Sequence, residues 1–188
     1  MFRRLAARII IAIMAISVLG GCETTERRSA PQRSTITSST TLTSTGPASV
    51  PLYEQFEAQN SDGPNGKPIN ATLAGTNYRN STGMWVGCSG RPATTTYRLR
   101  GMFARLKAVA GLQPHTPAEL AVKATVAVNG NVVKVFTIRR TDTERIDLDV
   151  SGADSLVVTA IAADNSRCTT SQTPYGALGD AMLTPIGL

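Results

Sequence analysis

Two carboxylates, Asp147 and Asp149, stand two positions apart among alternating apolar residues. On a β-strand they would point to the same side, because successive side chains alternate between the two faces. Two carboxylates on one face could line a cleft or bind a hard cation such as calcium. The alternative is a solvated strand face that Arg139, Arg140 and Arg145 balance, and it is favoured because surface ion patterns contribute little. Asp147 and Asp149 are therefore weak metal candidates, and a structural calcium ion is the one cofactor considered.

Catalytic chemistry finds little support in the residue types present. His115 is the only histidine, so a histidine-based metal cluster cannot form within one chain, and the adjacent prolines are typical of a loop. Residues 87–90, Gly-Cys-Ser-Gly, differ from the G-x-S-x-G pattern of a nucleophile elbow, and no strand-to-helix pattern surrounds them. The sequence predicts that this protein is not an enzyme.

Binding of a sugar-like ligand has better candidates. Aromatic rings stack on the C–H faces of sugars, while amide and guanidinium groups reach hydroxyls. Residues of these types lie in or beside predicted loops, and they are Tyr78, Asn77, Asn80, Trp85, Arg91 and Tyr175. We expect Tyr78 and Tyr175 to be exposed platforms, whereas Trp85 stands in an apolar run and is at least as consistent with a core position.

A basic and apolar leader precedes the first cysteine. Three arginines at positions 3, 4 and 8 are followed by an uncharged, mostly apolar run of thirteen residues, 9–21. This length suits a signal peptide and is shorter than the roughly 20 residues that a membrane-spanning helix needs. The residues Leu-Gly-Gly-Cys at 19–22 resemble the lipobox of bacterial lipoprotein precursors. The resemblance implies that residues 1–21 are removed, that Cys22 carries a diacylglycerol, and that the protein is anchored to the membrane of the bacterial cell envelope, facing the extracytoplasmic space. An ordinary secretory signal or short anchor is the alternative.

If Cys22 carries lipid, Cys88 and Cys168 are the two remaining cysteines, in a compartment that permits disulfides. A bridge would close a loop of about 80 residues, which the chain-entropy model values at about 4 to 5 kcal/mol. Two separate buried thiols are the alternative, because sequence alone does not place the two Cα atoms within the roughly 4.4 to 6.8 Å that a bridge requires.

The composition changes sharply after the leader. Fourteen of the 27 residues at positions 23–49 are Ser or Thr, so we expect residues 22–49 to form a disordered tether that ends in the lipidated cysteine. The folded domain is expected at 50–188. Removal of three leader arginines lowers the formal charge from +6 to +3, and no basic stripe with interleaved aromatic residues is present. Binding to nucleic acid is therefore not expected.

The folded part reads as a series of short strands. Residues 50–58 are consistent with a helical or extended lead-in, and strand patterns follow at 94–99, 103–110, 120–128, 132–138, 146–150 and 156–162. Asn129-Gly130 favours a hairpin turn, and Arg100-Gly101 and residues 151–154 favour further turns. Helical periodicity is absent between residues 73 and 183. The pattern predicts an all-β protein, an antiparallel β-sandwich.

Five segments of this series, taken in order, resemble the novel putative carbohydrate-binding module (NPCBM) family. They are residues 78–86, 97–103, 108–112, 126–130 and 146–156. The resemblance is strongest over residues 67–183 and implies a galactose-binding-like jelly roll. Where the family has His-Ala, this chain has Gly87-Cys88, and residues 175–181 keep only Asp180-Ala181 of the family's Trp-Ala-Asp-Ala. The resemblance thus implies that a disulfide between Cys88 and Cys168 replaces the family's organising side chains at these loops.

Two functions follow as hypotheses. The first is a non-catalytic, membrane-anchored envelope lipoprotein whose sandwich binds a cell-wall or surface glycan. The second is a structural or adaptor lipoprotein that uses the sandwich to bind an envelope protein, which predicts an exposed apolar or edge-strand patch. Convergence of Tyr78, Tyr175 and the acids at one concave end would favour the first hypothesis, and scatter of these residues would favour the second.

Overall fold

A computed structural model describes residues 48–61, 63–88, 90–163, 168–169 and 171–187. The predicted signal peptide, the predicted lipidation site at Cys22 and nearly all of the predicted tether lie outside the described residues. The described residues belong to one unit, Thr43–Leu188. Within the described ranges, no helix has the length and apolar character needed to cross a membrane.

The described residues form eleven strands and one short 3-10 helix, Leu52–Gln55, which follows the first strand. The strands are β1 (Val50–Pro51), β2 (Phe56–Gln59), β3 (Pro68–Leu73), β4 (Thr76–Met84), β5 (Ala93–Arg98), β6 (Phe103–Leu112), β7 (Val122–Val128), β8 (Asn131–Ile138), β9 (Thr143–Asp149), β10 (Ser155–Ala162) and β11 (Gly176–Pro185). The all-β prediction is confirmed. The lead-in at 50–58 contains both extended and helical turns.

The strands form two antiparallel sheets. One sheet has the order β3-β4-β11-β6-β9, with β1 also paired to β11, and the other has the order β2-β5-β10-β7-β8. The 3-10 helix carries the chain from β1 in one sheet to β2 in the other. The predicted antiparallel β-sandwich is confirmed.

The core lies between the sheets. Leu106, Leu178 and Leu183 of the first sheet and Val126 and Leu156 of the second belong to one buried cluster, each at most 1% exposed. Burial of each such side chain contributes about 1.5 to 3 kcal/mol. The strand predicted at 156–162 is β10, in which half-buried and buried residues alternate along the whole strand.

Two-residue turns with positive φ close two hairpins. Asn129 and Gly130 have φ of 48° and 79° between β7 and β8, as predicted. Ala74 and Gly75, with φ of 44° and 82°, join β3 to β4 in the same way. Both central residues of a primed turn need this region, which matches the right-handed twist of the strands.

The β3–β4 hairpin folds across the face of the first sheet that is turned away from the core. A Cβ atom built on Gly179 would lie 2.6 Å from Cγ of Tyr78, and one on Gly111 would lie 2.9 Å from Cβ of Leu73. The two glycines therefore leave the room that the hairpin side chains occupy. Ala177 joins Leu73 in a second, smaller apolar cluster there.

Three predicted loop residues lie in this hairpin. Tyr78, Asn77 and Asn80 belong to β4, so their assignment to loops was wrong. The strand was missed because residues 77–82 are all polar apart from the Tyr78 ring, while its pairing partners β3 and β11 supply the backbone hydrogen bonds.

Candidate functional site

Several loops meet where β4 ends and β11 begins. A Cβ atom on Gly83, near the end of β4, would lie 2.6 Å from the carbonyl oxygen of Pro64 and 3.1 Å from Cγ of Pro174. The 61–67 loop and the 168–175 loop therefore touch the same short stretch of strand. We call the surface that these loops form with residues 85–88 and 113–116 the loop end.

Trp85 is held at the loop end by backbone contacts. The backbone N–H of Trp85 donates to Oδ1 of Asn65 at 3.0 Å, and Asn65 is only 2% exposed. Gly63 packs on the indole, since a Cβ atom there would lie 2.9 Å from Cζ3 of Trp85. Trp85 as a whole residue is half-buried. Its indole is thus fixed at the boundary of the core.

The disulfide joins two of these loops. Cys88 and Cys168 are bonded, with Cα atoms 5.0 Å apart and a sequence separation of 80. The predicted pairing is confirmed, and separate thiols are excluded. Both cysteines are partly buried and pack against the main core cluster. The bridge therefore attaches the 168–175 loop to the segment that carries Trp85.

Tyr175 is a support inside the loop end. It is only 7% exposed, and its hydroxyl donates to the carbonyl oxygen of Thr169 at 2.8 Å. Its own carbonyl accepts from the N–H of Gln113 at 2.7 Å and from the hydroxyl of Thr116 at 3.0 Å. The expectation that Tyr175 is an exposed platform was wrong. Its hydroxyl forms a hydrogen bond within its own loop, and the ring is buried.

A tight crevice, with no space inside it for a water molecule, lies beside Trp85, so a ligand could meet only its outer rim. Its lining side chains are Trp85, Val86, Cys88, Thr169, Ser171, Thr173 and Tyr175. His115 borders the same loop, with Nε2 at 3.1 Å from Oγ1 of Thr173 and its ring centroid 5.6 Å from that of Tyr175. An indole beside several hydroxyl groups can stack on a sugar ring and hydrogen-bond its hydroxyls.

Sequence reasoning missed four of these residues. His115, Thr169, Ser171 and Thr173 were not candidates, although His115 was recognised as a loop residue. The signal that could have found them is the run of hydroxyl residues that directly follows Cys168. His115 gave none, since it meets Thr173 across 58 positions of sequence.

The remaining binding candidates fall into two places. The carbonyl oxygen of Arg91 packs against Gly87, which puts Arg91 beside the loop end, and its side chain is exposed. Tyr78 is half-buried over Gly179, and Oδ1 of Asn77 accepts from the Thr72 hydroxyl at 2.6 Å. Asn80 is exposed on the same hairpin. The structure thus gathers Trp85, Arg91 and Tyr175, and places the three hairpin residues on the sheet face.

Asp147 and Asp149 lie apart from the loop end, on β9. Asp147 pairs with Arg105 of β6, and Oδ1 of Asp149 accepts from the Ser151 N–H at 2.9 Å. The arginines predicted to balance these acids were the wrong ones, because β9 pairs with β6 and brings Arg105 opposite. Within the described part of the chain, no group of three or more acidic, His or Cys side chains is placed to hold a metal ion.

The Arg105 pair gives a pH dependence with a definite sign. Hydrogen bonding from the Arg105 guanidinium lowers the pKa of Asp147, and the Ser151 N–H lowers that of Asp149. A lowered folded-state pKa stabilises the fold above the unfolded value of about 3.9, and that stabilisation is lost as pH falls through the folded value. Asp147→Asn should therefore lower the Tm slightly at pH 7 and not at all once pH is below both values. Thermal melts from pH 7 to 2 would show this; a difference that is constant with pH would contradict it.

Comparison with known proteins relates the chain to carbohydrate-binding modules by fold. No protein-family model and no curated protein matches it. The CBM51 module of Clostridium perfringens GH95, solved with methyl-galactose, superposes with a TM-score of 0.57 at 14% identity, over 73% of this chain and 100% of that one. This likeness shows a shared sandwich fold.

Two structures of Clostridium perfringens ZmpB give the same result. The M60 catalytic domain with its CBM51-1 and CBM51-2 domains matches with a TM-score of 0.55 and 19% identity, over 72% of this chain. CBM51-2 in complex with GlcNAc, with INT domains, matches with a TM-score of 0.54 and 16% identity, again over 72% of this chain. This chain spans only 15% and 31% of those two structures, so the match concerns their modules alone.

Proposed function

We propose that this protein is a non-catalytic, lipid-anchored envelope protein that binds carbohydrate at the loop end. The observation that carries the proposal is Trp85, a half-buried residue whose indole is fixed beside a row of hydroxyl side chains. It stands on a sandwich whose fold is that of carbohydrate-binding modules.

The chemistry of the cleft supports a sugar ligand. A pyranose offers an apolar C–H face and a rim of hydroxyls, and the cleft offers an aromatic ring and hydroxyl groups that both donate and accept. Thr173 and His115 already form one such hydrogen bond at 3.1 Å, and a ligand hydroxyl could join it. The disulfide and the Asn65 contact hold the two walls in place before binding, which lowers the entropy lost when a ligand is ordered.

The location rests on residues 1–49. The leader, the lipobox at 19–22 and the Ser/Thr-rich stretch support a lipid-anchored protein on a tether. Treated as a flexible coil, the 27 residues from 23 to 49 would span about 30 Å on average. In this proposal the sandwich samples a glycan layer close to the membrane.

Trp85 makes the proposal directly testable, because it is the only tryptophan in the chain. In the mature chain carrying Cys22→Ser, galactosides, N-acetylglucosamine and wall polysaccharides should each be titrated while indole emission is recorded. We expect a saturable spectral change for at least one of them. Thr173→Ala should lower the affinity for that ligand by about 3- to 10-fold, because one hydrogen bond contributes about 0.5 to 1.5 kcal/mol.

A matched control lies on β8, outside the segments that form the loop end. Val135→Ser changes an exposed residue of β8 and should leave the titration unchanged. Trp85→Ala should abolish retention of the protein on immobilised polysaccharide. A folded wild-type sample that shows neither an emission change nor retention would sink the carbohydrate proposal.

One observation favours the adaptor function as a second candidate. The edge strand β8 exposes Val132, Val133 and Val135, at 61%, 46% and 53%. Exposed apolar residues clustered in this way mark protein contacts more often than scattered ones do. Crosslinking in the envelope distinguishes the two functions. If the protein is an adaptor, Val135→Ser should remove the crosslink to the partner protein and Trp85→Ala should not.

A further inference from the structure

A second cleft borders the same 113–116 loop that supports the loop end. It is open, has a volume of about 350 Å³, and is lined by Ala74, Gly75, Leu112, Pro114, Arg140 and Thr141. Pro114 lines this cleft, and its neighbour His115 contacts Thr173 of the loop end. One short loop therefore separates the two clefts.

The walls of the second cleft are small and apolar. The turn of the β3–β4 hairpin forms one wall, and no atom lies within 4 Å of the position that a Cβ on Gly75 would take. The hairpin is held there by Leu73, which packs on Gly111. Small, apolar walls with open space beside them suit the C–H face of a sugar ring.

Arg140 supplies the charge. Its Nη1 lies 3.5 Å from the carbonyl oxygen of Pro114 and 3.4 Å from that of Thr116, which directs the guanidinium to the loop. A guanidinium has five N–H donors, so most of them are left over from these two long contacts. The ion pairs formed within the described ranges are Arg98–Glu57, Arg105–Asp147 and Lys134–Glu144, and none includes Arg140.

The acid closest to Arg140 in sequence is engaged elsewhere. Asp142 accepts from the Arg139 N–H at 3.2 Å through Oδ2 and from the Thr141 hydroxyl at 3.2 Å through Oδ1. Its carboxylate therefore closes its own turn.

We propose that the glycan site continues across the 113–116 loop into this second cleft, where Arg140 binds the carboxylate or phosphate of an acidic sugar. The inference rests on the proposed function and names its ligand class: an acidic oligosaccharide long enough to reach both clefts. Arginine suits this role because its planar fork matches a carboxylate or phosphate through two parallel hydrogen bonds. Gln113 and Thr116 tie the loop to Tyr175 on one side, and Arg140 ties it on the other.

The test compares two oligosaccharides of equal length, one neutral and one containing uronic acid, by Trp85 emission in the mature chain with Cys22→Ser. We expect the wild type to bind the acidic one about 10- to 100-fold more tightly, the range for hydrogen bonds to a charged group. Added salt should reduce the difference between the affinities for the acidic and the neutral oligosaccharide. Arg140→Met should remove this preference, so that the two sugars bind equally, and Arg140→Lys should keep part of it. Arg145→Met, an exposed arginine on β9, is the matched control and should change neither affinity.

The other outcomes each overturn something definite. Equal affinities in the wild type, with the neutral sugar still bound, overturn the second cleft and leave the proposed function standing. Equal weakening of both sugars by Arg140→Met means that Arg140 only supports the loop. Displacement of the acidic sugar by millimolar inorganic phosphate means a general anion site in place of a glycan subsite. Failure of both sugars to bind the folded protein overturns the proposed function together with the inference.

Discussion

Replacing Cys88 and Cys168 together by alanine is expected to lower the free energy of unfolding by about 4 to 5 kcal/mol. The bridge closes a loop of 80 residues, and the chain-entropy model assigns this loss to the larger freedom of the unfolded chain. Such a loss is a large fraction of the roughly 5 to 15 kcal/mol that a folded domain has in total. Guanidinium unfolding of the wild type with and without reductant, beside the double variant, measures it.

The same variant has a second, local effect. The disulfide holds Cys168, and the Tyr175 hydroxyl donates to the carbonyl oxygen of its neighbour Thr169. The flanking contacts are those of Ala162 with Gly87 and of Thr173 with His115. We therefore expect sugar binding to fall even under conditions where the variant stays folded. The mature chain carrying Cys22→Ser alone is the reference, because it keeps the bridge. A double variant as stable as the wild type would show that the bridge adds no constraint.

Gly87→Ala should be nearly as damaging, for a steric reason. A Cβ atom at Gly87 would lie 1.8 Å from the carbonyl oxygen of Arg91 and 2.9 Å from the backbone nitrogen of Ala93. These are backbone atoms, which cannot rotate away as a side chain could. Gly87 also donates to the carbonyl of Ala160 at 3.1 Å and accepts from the Ala162 N–H at 2.9 Å, so the backbone shift would disturb both bonds. We expect a loss of about 3 kcal/mol, the upper part of the usual range for overpacking.

Gly187→Ala provides the comparison for this substitution. No atom lies within 4 Å of a Cβ at that position, so the variant should unfold at the wild-type denaturant concentration. Both variants can be measured by the same unfolding experiment. If Gly87→Ala matched Gly187→Ala, the close approach of the 85–88 and 91–93 segments would be disproved.

Local sequence signals predicted the parts of the fold that depend on local forces. The period-two pattern of residues 120–128 predicted β7, and Val122, Ala124 and Val126 of that strand are buried in the core. Asn129-Gly130 marked the β7–β8 turn because few residue pairs accept positive φ at both positions. The disulfide was an expectation with a stated alternative, since pairing depends on a distance that sequence does not contain.

The missed strands have a common physical cause. In β11, Gly176 and Gly179 weaken the strand pattern, yet each is required by a neighbour: Met84 packs on the first and Tyr78 on the second. A glycine selected for close packing looks, in sequence, like a loop residue. Strand β4 was missed because most of its residues are polar, and Tyr78 was consequently taken for a loop platform.

The candidate site was predictable in part. Trp85 was chosen for its ring chemistry and lies at the loop end, whereas Tyr175 was chosen for the same reason and is buried. The tyrosine differs because its hydroxyl has a carbonyl partner at 2.8 Å within its own loop. The acids, Tyr78 and Tyr175 do not converge, so the proposed site is built on Trp85 and the hydroxyl row in place of the expected pair of tyrosines.

The pairing of β1 with β11 brings the two ends of the sandwich domain close together. Val50 stands directly opposite Leu183, so the first and last strands of the fold run side by side, with Cα atoms about 5 Å apart. A polypeptide can therefore enter and leave the domain at nearly one point. Such a unit can be inserted into a surface loop of a host protein without forcing the host's two loop ends apart. In ZmpB, modules of this fold share a chain with a catalytic domain. Adjacent termini of this kind make a sandwich easy to add to, or remove from, a larger chain.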